Sequence, residues 1–214
     1  VTRARVKICG IKNVGQRDCA VSSGADAVGF VVEVPGSKRS IDRDTARSLI
    51  EGIPVFVTSV VVITPRSAEE ARGLARDTGA DAIQVHSALD GNELKGLRET
   101  GCRVVGAVAA IPGAEEKARH LSGYVDAVLL DTYKDGSLGG TGSVHDWTVS
   151  ARLVEDLEVP VILAGGLDAG NVVEAVRRVR PYAVDVSSGV ETGGEKDCQK
   201  IRDFIEEVRG CRLQ

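Results

Sequence analysis

Three side chains that can move protons stand where an apolar run stops. Cys9 follows Val6-Lys-Ile, His86 follows Ala82-Ile-Gln-Val, and Asp131 follows Val128-Leu-Leu. A thiolate at Cys9 would be a base or nucleophile, and the same residue type also suits a small buried hydrophobe. Lys7 lies two residues back and shares the face of Cys9 in a strand. A cation on an inward face requires an anion, either a neighbouring thiolate or a carboxylate. At Asp131, low dielectric would raise the pKa and make a general acid; the alternative is an aspartate capping the next loop. His86 has no partner pattern for a zinc site and reads as a hydrogen-bonding or structural group. His120 and His145 receive no role.

Two Gly/Ser turns read as halves of one anion site. Val161-Ile-Leu-Ala leads into Gly165-Gly166, and Ala183-Val-Asp185-Val leads into Ser187-Ser188-Gly189. Amides at such turns and at the helix starts behind them favour phosphate, although two tight strand-to-helix turns explain the same residues. Arg39, in the polar loop Gly36-Ser-Lys-Arg-Ser40, could grip a planar carboxylate through two parallel bonds or simply be solvated. Gly139-Gly-Thr-Gly142 lacks the Lys-Ser/Thr of a nucleotide loop and reads as a cover or a surface turn.

Strands and helices alternate eight times to carry these groups. The strands are expected at 6–9, 27–32, 55–63, 82–85, 102–108, 127–130, 161–164 and 182–186. Helices are expected near 14–22, 43–51, from Ser67 with Glu70 as a capping box, 93–99, 114–121, from Asp146, and 171–178. A final helix carries Cys198, Ile201, Phe204, Ile205 and Val208 on one stripe, as a barrel-closing helix should. Eight units favour an α/β fold with a closed parallel sheet, a single (β/α)8 TIM barrel over 1–214, above an open doubly wound sheet. Working residues would then lie at the strand ends, with phosphate at the last two exits. No convincing sequence repeat is visible.

The formal net charge is −4, with Lys and Arg scattered among the acids. That argues against nucleic acid, which requires a clustered basic face. No apolar run is long enough for a membrane. The five cysteines form no Cys-x-x-Cys pair, so reduced thiols in a cytoplasm are expected rather than a disulfide framework.

Five segments, in order across nearly the whole chain, carry a family resemblance. They are Lys7-Ile-Cys-Gly10; Gly24-Ala-Asp-Ala-Val-Gly-Phe30 with Ser37-Lys-Arg39; and Gln84-Val-His86. The fourth is Leu129-Leu-Asp131 with Gly139–Gly142 and Asp146-Trp147. The fifth joins Leu163–Leu167 and Asn171-Val172 to Val184–Glu191 and Lys196-Asp197. In these the chain resembles the phosphoribosylanthranilate isomerases of tryptophan biosynthesis. It differs in a longer segment between Phe30 and Ser37, in Ser87 where a glycine commonly follows the histidine, and in Thr58-Ser-Val-Val61.

The resemblance implies Cys9 as general base, Asp131 as general acid and Arg39 as the grip on the anthranilate carboxylate. It implies His86 and Asp185 at the substrate, and Gly165, Gly166, Ser187, Ser188 and Gly189 at the phosphate. No metal or organic cofactor is implied, and the partner is a small phosphosugar, with the protein a monomer or homodimer. Related barrels are less well matched. An aldose isomerase using paired aspartates would not put Cys9 on the first strand, and a metal-dependent epimerase would require more His and Asp ligands. An indole-forming synthase would use Lys and Glu, and a catalytically silent phosphate-binding barrel would not require both acid and base.

Overall fold

β-Branched runs too short for helices alternate with amphipathic stretches, and each stretch closes a crossover between parallel strands. The computed structural model describes residues 3–86, 89–134, 137–138 and 146–211. The first half contains β1 (Arg5–Cys9), α1 (Val14–Ser23), β2 (Ala27–Val32), α2 (Arg43–Glu51), β3 (Thr58–Ile63), α3 (Ala68–Thr78), β4 (Ala82–Val85) and α4 (Gly91–Leu97). The second contains β5 (Arg103–Ala109), α5 (Ala114–Ser122), β6 (Ala127–Asp131), α6 (Trp147–Asp156), β7 (Val161–Leu163), α7 (Val172–Val179), β8 (Ala183–Val186) and α8 (Cys198–Gly210). Each strand pairs in parallel with the next, and β8 returns to β1, with Lys7 opposite Asp185 in the register. The ring is a closed (β/α)8 barrel. None of its helices is long and apolar enough to cross a membrane among the described residues.

The two-residue period of a strand sorts the side chains. Val6, Ile8, Val28, Phe30, Val128, Leu130, Val184 and Val186 point outward into one core against the helices. The alternate positions point inward. Val105, Ala107, Leu129 and Ile162 fill the interior, where a fully buried Leu or Ile stabilises by roughly 1.5–3 kcal/mol. Lys7, Gln84, Asp131 and Asp185 are the buried polar members of the inward set.

Helix starts follow their caps. Ser67 accepts from Glu70 N at 3.2 Å, but Glu70 turns to Arg66 N instead of completing the expected box. A full capping box occurs at Asp90 and Glu93, so α4 begins earlier than expected, at Gly91. Asp146 caps α6 as expected.

Two further expectations fail. The third strand starts at Thr58, not at Val55. After Pro54 the chain turns, with Phe56 at φ 76°, leaving Val55 80% and Phe56 98% exposed. β-Branched composition could not reveal that this stretch has no neighbour to pair with. The thiols are not all reduced either, because Cys19 and Cys198 form a disulfide. Barrel closure sets α1 against α8 and brings residues 179 apart to a Cα separation of 5.8 Å. Cys9, Cys102 and Cys211 are free.

A repeat missed in the sequence emerges at the strand starts. Asp26, just before β2, accepts from Val6 N at 2.9 Å. Asp81, before β4, accepts from Ser59 N at 2.8 Å, and Asp126, before β6, from Val104 N at 2.8 Å. Each aspartate thus bonds to the preceding strand. At the β7–β8 step Tyr182 replaces it, with Arg5 4.3 Å from the ring centroid.

Candidate active site

The strand ends open into a cavity of about 1080 Å³. Its walls include Cys9, Arg39, His86, Asp131, Gly165, Gly166, Asp185, Ser187 and Ser188. Residues spread over most of the chain therefore meet because all lie at the same end of parallel strands. Gly189 is not among the lining residues. A Cβ there would collide with the Leu167 carbonyl, so this glycine lets the two Gly/Ser turns approach each other. Gly139–Gly142, Ser87 and His145 lie outside the described residues.

Lys7 finds its anion in a carboxylate. Its Nζ donates at 2.9 Å to Asp185 Oδ2 and at 2.9 Å to Gln84 Oε1. Burial opposes the ammonium charge, but Asp185 and Cys9 outweigh it and hold the Lys7 pKa above its usual range. Burial also pushes the Cys9 thiol up. Lys7 pulls it back, Asp185 pushes it further up, and Lys196 adds a smaller pull. Space for the thiol comes from Gly29 in β2. A Cβ there would stand 2.9 Å from Cys9 Sγ and 3.0 Å from Lys7 Cε.

Asp131 is 8% exposed, and its Oδ1 has no hydrogen-bond partner among the described residues. Burial, then repulsion from Asp185, lifts its pKa to about 7, against a backbone bond from Thr132 and the charge of Lys7. The carboxyl is thus poised to hold or donate a proton near neutrality. His86 is pushed down to about 4 by burial and by Lys7, leaving a neutral ring near pH 7. Its Nε2 lies 2.6 Å from Gln84 Nε2. The histidine therefore belongs to the same buried chain of polar groups as Lys7.

Gly165 and Gly166 take positive φ values of 88° and 66°, conformations that suit glycine. A side chain at Gly165 would strike Thr132. On the facing turn, Ser187 Oγ donates to the Cys9 carbonyl at 3.1 Å. The amides of Gly166, Ser188 and Gly189 have no hydrogen-bond acceptor among the described residues. Unpaired amides on adjoining turns make an anion-binding concavity.

Arg39 is not merely a solvated loop residue. Its Nε and Nη2 each donate at 2.7 Å to the two oxygens of Glu191, and this pairing raises the guanidinium pKa. Gly10 makes room for its stem, since a Cβ there would be 2.6 Å from Arg39 Cδ. Lys196 donates to Glu191 Oε1 at 2.7 Å and to the Ser187 carbonyl at 2.9 Å. Glu191 and Lys196 had no role assigned from sequence. The available signal was an acid and a base bracketing Gly193-Gly194 just beyond the second turn.

The model of the N-(5'-phosphoribosyl)anthranilate (PRA) isomerase family matches residues 6–207. The chain belongs to that family. The N-(5'-phosphoribosyl)anthranilate isomerase of Methanothrix thermoacetophila is 44% identical over 208 residues, covering 97% of this chain and 99% of its own. Among solved structures, monomers generated from the dimeric phosphoribosylanthranilate isomerase of Thermotoga maritima superpose with a TM-score of 0.85 at 34% identity, over 97% of this chain and 99% of theirs. A phosphoribosylanthranilate isomerase bound to reduced 1-(o-carboxyphenylamino)-1-deoxyribulose 5-phosphate gives a TM-score of 0.84 at 35% identity, over the same shares of the two chains. As a family member, the protein is an isomerase enzyme of tryptophan biosynthesis.

Proposed function

We propose that this cavity converts N-(5'-phosphoribosyl)anthranilate to 1-(2-carboxyphenylamino)-1-deoxyribulose 5-phosphate with Asp131 as acid and Cys9 as base. The observation that carries the assignment is that both groups line one cavity with Arg39 and the two Gly/Ser turns. Asp131 gives its proton to the furanose ring oxygen. The bond from C1 to that oxygen breaks, and the nitrogen lone pair forms a C1=N iminium. Cys9, as thiolate, takes the proton from C2. The C2–H electrons become a C1=C2 bond, and the iminium electrons return to nitrogen. Proton transfer from the C2 hydroxyl and to C1 then gives the ketone. Burial holds the resting Cys9 thiol above its ordinary pKa, and Lys7 pulls it back toward the thiolate that this step requires.

Arg39 holds the anthranilate carboxylate, and His86 and Asp185 face the substrate. Gly165, Gly166, Ser187 and Ser188 hold the phosphate, with Gly189 bringing the turns together. Binding the phosphate end keeps the sugar in reach of the acid and base. The span 1–214 serves as one catalytic barrel domain, working in the cytoplasm on a small phosphosugar. The protein works as a monomer or a homodimer, with the exposed Val55 and Phe56 an apolar contact open to a second copy. The direct test is fluorescence of the anthranilate group. Adding the substrate should give an enzyme-dependent loss of its signal, unaltered by a metal chelator. No loss, or loss abolished by the chelator, contradicts the proposal.

A further inference from the structure

A guanidinium has two edges for bidentate bonding, Nε with Nη2 and Nη1 with Nη2. In Arg39 the first edge is occupied by Glu191. Among the described residues Nη1 has no hydrogen bond, which leaves the second edge for a ligand of the cavity that Arg39 lines. The charge count matters as well. Arg39 with Glu191 alone is neutral and would attract a carboxylate weakly. Lys196, with a side chain only 1% exposed, pairs with the same Glu191 oxygen and returns the cluster to one net positive charge. Glu191 is 9% exposed at its side chain, so the clamp is little screened by solvent.

Lys196 also ties this cluster to the second Gly/Ser turn. It donates to both the carbonyl and the hydroxyl of Ser187, and that hydroxyl donates to the Cys9 carbonyl. Arginine, turn and the end of β1 thus share one set of bonds. We propose that Glu191 is a positioning residue for substrate selection: it fixes Arg39 with the free edge presented to the carboxylate on the aryl ring, while Lys196 keeps the cluster cationic. The inference rests on the reading of Arg39 as the carboxylate grip.

The test compares two substrates, N-(5'-phosphoribosyl)anthranilate and N-(5'-phosphoribosyl)aniline, which lacks the carboxylate. Their kcat/KM ratio is measured for the unmodified protein, Glu191→Gln and Arg39→Gln. Both substrates are read on one preparation, so the fraction of folded enzyme cancels. Glutamine cannot accept both bonds, yet it raises the net positive charge of the cluster. Simple attraction therefore predicts a greater preference for the carboxylate, whereas lost positioning predicts a smaller one. We expect the preference to fall about tenfold in Glu191→Gln, about 1.4 kcal/mol, and at least as far in Arg39→Gln. An unchanged or greater preference in Glu191→Gln, with Arg39→Gln abolishing it, overturns the positioning role alone. A preference that survives Arg39→Gln overturns the reading beneath it.

Discussion

At the strand starts, Asp26, Asp81 and Asp126 turn their carboxylates onto backbone amides of neighbouring strands. At the strand ends, Asp131 and Asp185 each keep a buried oxygen with no hydrogen-bond partner among the described residues. The residue type is the same, and the difference lies in what surrounds it. The lower aspartates find further donors: Arg3 at 2.9 Å for Asp26, Ser59 Oγ at 2.6 Å for Asp81, and Arg98 at 2.7 Å for Asp126. Those groups brace one strand against the next. The upper pair shares a pocket with one buried lysine, which bonds Asp185 and leaves Asp131 under-satisfied. One end of the barrel uses carboxylates for stability; the other leaves bonding capacity for chemistry.

Exchanging the outcomes of paired mutations would break this contrast. Asp131→Asn should reduce kcat by roughly a hundred- to ten-thousand-fold, the range for losing a general acid, without lowering stability. Asp81→Ala should leave kcat within about twofold but lower stability by about 1–3 kcal/mol in denaturant titration, because Ser59 loses its acceptor. A stable, active Asp131→Asn, or an inactive but stable Asp81→Ala, would erase the distinction between the ends.

The pH response sharpens it. Folded Asp131 holds its proton up to about pH 7, whereas the unfolded carboxyl loses it near pH 4. Stability from this group is thus complete at low pH and is lost as pH rises from about 4 through 7. The stability of Asp131→Asn relative to the unmodified protein should increase across that window, by on the order of a few kcal/mol. A difference that stays flat over the window would show the carboxyl to be unperturbed. A smaller loss of turnover is expected from the glycine beside Cys9. Gly29→Ala pushes a methyl group against Cys9 Sγ and should lower kcat about tenfold while thermal unfolding shifts only modestly. Unchanged turnover would mean that the thiol position is not critical.

Much of this organisation was legible in the sequence because strand periodicity is local. Lys7 and Cys9, two apart, had to share a face, and Lys7 had to meet an anion. Asp131 after three apolar residues read either as a poorly solvated carboxyl or as a loop cap, and its burial decides for the first. What escaped required partners distant in sequence. Cys19 meets Cys198 only when the ring closes. Arg39 is held by Glu191, 152 residues away, so the loop alone read as solvated. Val55 and Phe56 look like strand residues until the pairing register begins at Thr58. The repeated aspartates were visible as residues, but only the bonds from Val6, Ser59 and Val104 reveal one device used three times.

The proton-abstracting role of Cys9 is tested most directly by Cys9→Ser, which keeps the size and the buried surroundings but supplies no thiolate. Its kcat should fall by roughly a hundred- to ten-thousand-fold, with the affinity for reduced 1-(o-carboxyphenylamino)-1-deoxyribulose 5-phosphate held within about threefold. A kcat close to that of the unmodified protein would contradict the assignment of the base.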